Sequence, residues 1–552
     1  MGRMSLRRLC AVAPLAIAGC PDAGSDPFDA AGPGGDTTVP STSITASASD
    51  TGMSSAPTSA DETAGIKFDL EAGTGSPTGV VPTCEVVDDM NAVGPCTETA
   101  PPDAFEPEVQ WQWEGDAGMN QAIVIPLVAN LTDDDGDGEI NLCDVPDVVV
   151  LPFAQYSTFL GAIYVLDGDT GAIHGSTDPI LNATFTPALG DIDGDGLPEI
   201  VAVGHSPQRL IAFEHDLTVK WESTAIWNDY GFSCLALADL DADGTVEILA
   251  DNLVFDDAGV LLQTLPDNGG TSGFGNATTA ADLDGDGDLE IILGRSAWHH
   301  DGTGYYMAAG VEPGYPQVAN LDGDPQPEVL VDNYNGITLL ESDGTVVYQD
   351  LRPTGVPASA NAWTRPSTIH DFDGDGAAEY AVSSSGTYAV YEANGALSWT
   401  APVLDSTGMS GSTAFDFDGD GYAEAMYADE HDLFVFDGMG AQLLSVPRSS
   451  GTLSEYPVVA DVDNDGSAEI LVVSNEGWMG MQTAPALQVI RDIDDRWIPA
   501  RRIYNQHTYH VTNVREDGTI PTVEPPSWEN LNTFRTQAQI EGGSLCQPEP
   551  VG

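Results

Sequence analysis

Apolar residues through the middle of this chain fall in short bursts, either alternating or as unbroken runs, and never sustain helical spacing. After Glu199 come Ile200-Val-Ala-Val203, then Arg209-Leu-Ile-Ala-Phe-Glu214, a polar turn, and Thr218-Val-Lys-Trp-Glu222. The same order returns after Glu379 as Tyr380-Ala-Val382, Tyr388-Ala-Val-Tyr-Glu392, an Asn394-Gly395 turn and Leu397-Ser-Trp399. These bursts are β-branched or aromatic, and hairpin signals such as Asn394-Gly395, Asp343-Gly344 and Asp437-Gly438 punctuate them. Each unit therefore predicts a small antiparallel sheet. Such a sheet buries both faces only when its copies stand in a ring, so the pattern predicts an all-β chain built as a β-propeller.

An acid-rich loop opens each unit. Its acids fall at Asp191, Asp193, Asp195 and Glu199; Asp239, Asp241, Asp243 and Glu247; Asp282, Asp284, Asp286 and Glu290; and Asn320, Asp322, Asp324 and Glu328. The series continues with Asp371, Asp373, Asp375 and Glu379; Asp416, Asp418, Asp420 and Glu424; and Asp461, Asp463, Asp465 and Glu469. Successive loops start 48, 43, 38, 51, 45 and 45 residues apart, the size of one propeller blade. An earlier variant, with Asp133, Asp135, Asp137, Asn141 and Asp144, brings the units to eight. Eight blades are predicted, or seven if the long first unit, residues 126–185, is irregular. Val109-Gln-Trp-Gln-Trp-Glu114 repeats the Trp-bearing pattern of Val219-Lys-Trp-Glu222. It is expected to complete a last blade that otherwise ends near Leu487-Gln-Val-Ile490, leaving no open sheet edge. The propeller then spans 126–490, after a lead-in at 83–125 and before a tail at 491–552.

The loop spacing points to calcium. Carboxylates at positions 1, 3 and 5 converge on one cation only if the backbone turns sharply, which glycine at position 6 permits. Position 7 offers its carbonyl, and the acid at position 9 closes the shell as the chain enters a strand. All-oxygen ligands disfavour zinc and copper, and so many carboxylates favour calcium over magnesium. An EF-hand places its last acid at position 12 between helices, whereas here it stands at position 9 and runs into β-type residues. The first loop, with Asn141 at position 9 and Asp144 at position 12, is closer to the EF-hand spacing. The loop from Asn320 to Glu328 is expected to be the weakest, because Asn320 replaces a carboxylate and Pro325 takes the glycine position.

On these loops the chain resembles the FG-GAP or VCBS repeats of integrin α-subunits and exported bacterial proteins. The resemblance covers about 126–490 and implies a propeller whose ions hold blade loops without touching a ligand. It implies architecture more than activity. Arg501-Arg-Ile-Tyr-Asn-Gln-His-Thr-Tyr-His-Val-Thr-Asn513 and Asn532-Thr-Phe-Arg535 resemble a tail segment that follows such propellers in predicted bacterial surface proteins.

Charge narrows the partners. With 87 acidic and 16 basic residues the formal charge is −71, which excludes nucleic acid and anionic lipid as electrostatic partners. Arg3, Arg7 and Arg8 precede an apolar run from Leu9 to Ala18 that is too short to span a bilayer, and the run ends Ile17-Ala-Gly-Cys20. Residues 1–19 are therefore read as a lipoprotein signal peptide and Cys20 as the lipidation site, the lipid being the only membrane attachment. An exported, outer-membrane or cell-surface lipoprotein is expected. Residues 20–82, rich in Ser, Thr, Gly, Ala, Asp and Pro, are read as a disordered tether of ~60 residues reaching about 45 Å. Among the remaining cysteines, Cys84 and Cys96 are the suggested disulfide, being close in sequence around a turn-like stretch.

Chemistry beyond the loops is sparse. His507 and His510, with Tyr509 between them, read as packing residues rather than ligands or an acid–base pair, and His299-His300 reads as a surface pair without a partner. A calcium-dependent polysaccharide lyase would need clustered bases, yet lysine occurs only at positions 67 and 220. The segment Ala162-Ile-Tyr-Val-Leu-Asp-Gly-Asp-Thr-Gly-Ala-Ile173 resembles one strand pair of quinoprotein dehydrogenases, but it occurs once and no adjacent cysteine pair accompanies it. The expectation is a non-enzymatic protein that binds a protein or carbohydrate ligand on the propeller's opposite or central surface.

Overall fold

A computed structural model describes residues 93–101, 104–229, 231–269, 275–352, 365–384, 386–405, 410–477, 484–541 and 544–547. The signal peptide, Cys20, the tether and Cys84 lie outside the described residues. Within them are eight four-stranded antiparallel sheets, one per predicted unit, so the first unit forms a full blade and the propeller has eight. The innermost strands are Leu127–Ala129, Ala188–Gly190, Leu235–Ala238, Thr279–Ala281, Gly314–Ala319, Thr368–His370, Ser412–Phe415 and Val458–Ala460, numbered here as blades 1 to 8. The second strand of each blade, such as Glu199–Val203 or Glu424–Ala428, is buried along its whole length between neighbouring sheets, which is why it reads as an unbroken apolar run. Outer strands such as Val219–Glu222 are partly exposed.

Ring closure uses the amino-terminal strand. Pro107–Trp113 pairs antiparallel with Leu487–Asp492 and becomes the outer strand of blade 8. Blade 8 also bonds to the lead-in of blade 1, the N–H of Ala122 meeting Ser474 O at 3.0 Å. The outer-strand tryptophans clasp the next blade. Trp111 of blade 8 donates to Gly168 O of blade 1 at 2.6 Å, and Trp221 of blade 2 donates to Asp257 O of blade 3 at 2.7 Å. Gly171 and Gly259 have no side chain because a Cβ on either would lie 2.5 Å from the tryptophan ring, and both have positive φ.

The tail fills the ring. Residues 500–540 run through the centre and bond at all eight blades. Val128 and Tyr504 exchange two backbone hydrogen bonds of 2.9 Å, Leu189 N–H meets Asn505 O at 2.9 Å, and Leu237 N–H meets Gln506 Oε1 at 2.8 Å. Thr508 Oγ1 reaches Thr278 O at 3.4 Å, Asn532 Nδ2 donates to Asn320 O at 2.8 Å, and Phe534 exchanges two bonds of 3.0 Å with Ile369. Thr413 Oγ1 donates to Arg535 O at 2.7 Å, and Gln537 Nε2 donates to Val459 O at 3.1 Å. Only a short 3-10 turn, Val511–Asn513, and one helical turn, Ser527–Asn530, interrupt the β structure among the described residues. The central surface expected to carry a ligand is therefore occupied by the chain's own carboxy-terminal segment.

A disulfide joins Cys96 to Cys546, not Cys84 to Cys96. Gly94 and Pro95 pair in parallel with Cys546 and Gln547, which brings residues 450 positions apart to one place. Closeness in sequence misled because the sheet, not the turn, sets the partner.

Candidate metal centres

The acidic loops share one hydrogen-bond scheme. In blades 2 to 8 the ninth residue opens the second strand, and one of its carboxylate oxygens accepts the N–H of the loop's second residue. The contacts are Ile192 to Glu199 at 3.0 Å, Leu240 to Glu247 at 2.9 Å, Leu283 to Glu290 at 2.8 Å and Leu321 to Glu328 at 2.6 Å. Phe372 to Glu379 at 2.8 Å, Phe417 to Glu424 at 3.0 Å and Val462 to Glu469 at 2.9 Å complete the set. The first acid turns back into its own loop. Asp191 Oδ1 accepts Gly194 N–H at 2.7 Å and its Oδ2 accepts Gly196 N–H at 3.0 Å, with Gly196 at φ +89°. Asp282, Asp371 and Asp416 repeat this. Position 5 caps position 7, as when Leu197 N–H meets Asp195 Oδ1 at 3.0 Å. The backbone thus orients the acids, and Asp191, Asp193 and Glu199 each bring an oxygen within 4.8 Å of the others.

The other oxygens of these acids show what the loops lack within the protein. Glu328 is 1% exposed and Glu469 0%, yet Oε1 of each is buried with no hydrogen-bond partner, as are Asp418 Oδ1 and Asp461 Oδ1. A buried acceptor left without a donor costs about 1–3 kcal/mol. Burial pushes the carboxyls of Glu247 and Glu328 up to about 7 and that of Glu379 to about 9, with neighbouring loop aspartates adding to the rise. Glu469 is raised well above the carboxylate range for the same reasons. A hard cation bound by oxygen fits this donor set, since it would satisfy those oxygens and offset the crowding of like charges. The acids at positions 1, 3, 5 and 9 would hold it, fastening each loop to the strand that follows.

Residues 191–250, 371–427 and 416–472 match the FG-GAP-like repeat. The chain carries FG-GAP-like repeats. No match was found among curated proteins. Among solved structures, the V. cholerae biofilm matrix protein Bap1 is similar at a TM-score of 0.68, with 22% identity, covering 78% of this chain and 99% of that chain. A Bacillus licheniformis rhamnogalacturonan lyase is similar at a TM-score of 0.47, with 19% identity over 78% of this chain and 80% of that chain. BamB from Moraxella catarrhalis scores 0.39 at 10% identity, covering 62% of this chain and 93% of that chain. The likeness to Bap1 is one of fold alone.

Beside the FG-GAP loops lie residues that the spacing did not single out. In blade 1 the acid that opens the second strand is Asp147: it pairs with Ala129 as Glu199 pairs with Gly190, and it accepts Leu131 N–H at 2.9 Å. The blade 1 loop therefore runs from Asn130 to Asp147, with the segment from Asp133 to Asp144 inserted into it. Within that segment Asp144 Oδ1 accepts the N–H groups of Asp134 and Asp135, Asp133, Asp135 and Asp144 bring oxygens together, and Asn141 Oδ1 accepts Cys143 N–H. His299 and His300 are not an unpartnered surface pair, since His299 Nδ1 lies 2.9 Å from Glu290 Oε1 and His300 Nδ1 3.1 Å from Asp288 Oδ2. The signal for these contacts was the register of the blade, which a loop motif read alone does not show. His507 and His510 are buried in the tail. Burial and the neighbouring Arg535 hold His507 well below its ordinary pKa. Burial opposes charge on His510, but Glu524, 2.7 Å away, keeps its pKa raised.

Proposed function

We propose that this is a calcium-stabilised binding protein of the cell envelope or surface, exported by residues 1–19 and lipid-anchored through Cys20. Its FG-GAP propeller displays a recognition surface for a protein or carbohydrate. The observation that carries the calcium reading is the set of buried, unpartnered loop oxygens at Glu328, Asp418, Asp461 and Glu469, each on a carboxyl whose pKa is raised by burial and by other acids of its own loop. Because the tail fills the centre, recognition falls to the outer faces of the ring. The fold shared with a protein named as a biofilm matrix component supports a surface role.

Thermal melting in excess calcium and in chelator tests the stabilising role, and equal midpoints would refute it. Glycan and protein arrays probed with and without chelator test recognition. Calcium-dependent cleavage of a polysaccharide panel would instead make the protein an enzyme. Fractionation of Cys20→Ala tests the anchor, which requires the variant to leave the membrane pellet.

A further inference from the structure

The outer strand of each blade carries one extra residue opposite the end of the third strand, a β-bulge that recurs at the same register around the ring. It is Lys220 between the Ala212–Trp221 and Phe213–Val219 pairs of blade 2 and His174 in blade 1. The corresponding residue is Leu262 in blade 3, Leu443 in blade 7 and Gln110 in blade 8. A bulge re-aims a side chain, and in blades 1, 2 and 8 it turns toward the loop acids. Gln110 Nε2 donates to Asp463 Oδ2 at 2.7 Å, and His174 Nδ1 lies 2.9 Å from Asp147 Oδ1.

Lys220 makes the fullest use of the position. Its ammonium donates to Glu199 Oε1 at 3.1 Å and to both oxygens of Glu214 at 3.2 Å, and it also contacts Asp193 Oδ2. Glu199 Oε1 is the counterpart of the oxygens left unpartnered on Glu328 and Glu469. Positions 3 and 9 of the loop, two of the four acids that would hold an ion, are thus already bridged by a positive charge belonging to the chain. Leucine at the bulge of blades 3 and 7 supplies none.

We infer that a bulge residue reaching the loop acids sets that loop's demand for metal, and that Lys220 is a tethered cation that keeps the loop from Asp191 to Glu199 ordered without calcium and lowers its calcium affinity. Calcium entering that loop must first displace the ammonium from Asp193 and Glu199. This inference rests on the calcium reading above, which it sharpens by dividing loops that need an ion from one that carries its own.

Calcium titration by calorimetry, with bound metal counted after dialysis, tests it on the wild-type chain, Lys220→Met and Leu443→Lys. Lys220→Met is expected to tighten one site by about tenfold or more, the scale of one close charge removed from a partly buried site, and Asp193→Asn added to it abolishes the gain. Leu443→Lys is expected to weaken one site by a similar factor and to lessen the effect of chelator on the melting temperature. A wild-type chain that binds several ions while both variants titrate identically to it overturns this inference alone. A wild-type chain that binds no calcium overturns the calcium reading and this inference with it.

Discussion

The acidic loops and the central tail of this propeller solve opposite electrostatic problems. In the loops, acids crowd one another, as Asp191, Asp193 and Glu199 do, with Lys220, His174 and His299 as local relief. In the centre, two of the scarce basic residues are buried and bonded. Arg501 and Arg535 are fully buried, Arg501 donating to Tyr509 Oη at 3.0 Å, Val511 O at 2.6 Å and Val514 O at 2.7 Å, and Arg535 donating to Ser367 O at 3.0 Å. Six of the chain's arginines fall in the last 62 residues, against a formal charge of −71 overall. Arg501 and Arg535 are thus held by acceptors of the chain itself, whereas on the calcium reading the loop acids are held by an ion.

Stripping calcium breaks the comparison most strongly. Each ion held at one hundred times its dissociation constant contributes about 2.7 kcal/mol, so losing several should lower the unfolding midpoint by tens of degrees, measured by calorimetry in calcium and in chelator. The pH dependence in chelator should follow the raised carboxyls. Glu247 and Glu328 near 7 and Glu379 near 9 are held above their unfolded values, so folded protein binds more protons and stability falls as pH rises from about 5 to 9. In excess calcium that fall should be abolished, because the ion takes the place of the protons. Urea melts at pH 5 and pH 8 in both media check the sign.

Substitution in the centre sharpens the contrast. Arg535→Ala removes a buried, bonded side chain of large volume and should cost about 3–5 kcal/mol. The cost should be the same in calcium and in chelator, because the Arg535 guanidinium donates to Ser367 O, next to the innermost strand of blade 6, rather than to a loop acid. A smaller loss, about 2–5 kcal/mol, is expected for Cys96→Ser with Cys546→Ser in denaturant unfolding. The smallest effect is a gain. In the loop from Asn320 to Glu328, Pro325 has no N–H to return to position 1, and Asn320 Nδ2 donates to Asp324 O where the other loops have a carboxylate oxygen. Asn320→Asp with Pro325→Gly should add about 1 kcal/mol of calcium affinity, read by titration, without changing the blade.

Much of this architecture was legible because a blade is a local object. The second strands are buried on both faces, so Ile200-Val-Ala-Val203 and its counterparts announce themselves, and Val109-Gln-Trp-Gln-Trp113 repeats a pattern whose tryptophan has the same neighbour-clasping job as Trp221. Contacts between distant segments were not legible. Cys96 with Cys546, Tyr504 with Val128, and Asp147 in place of a ninth-position acid depend on register or on the path of an irregular tail, and no periodicity encodes either. Lys220 lies between these cases. Its strand was read correctly, but the bulge that turns its side chain toward Glu199 appears only when two strands are paired.

The link between Cys96 and Cys546 also decides how the molecule carries force. A pull between the stretches on either side of the propeller is taken by one covalent bond and the short parallel pairing beside it, and never reaches the blades. A pull arriving at an outer loop must instead travel through the ring to residue 96, shared between neighbours through clasps such as Trp111 on Gly168. The same link governs damage. A protease cut in any loop between residues 97 and 545 leaves one molecule, its two pieces still joined and the tail still seated in the ring, so the propeller can be nicked without being lost.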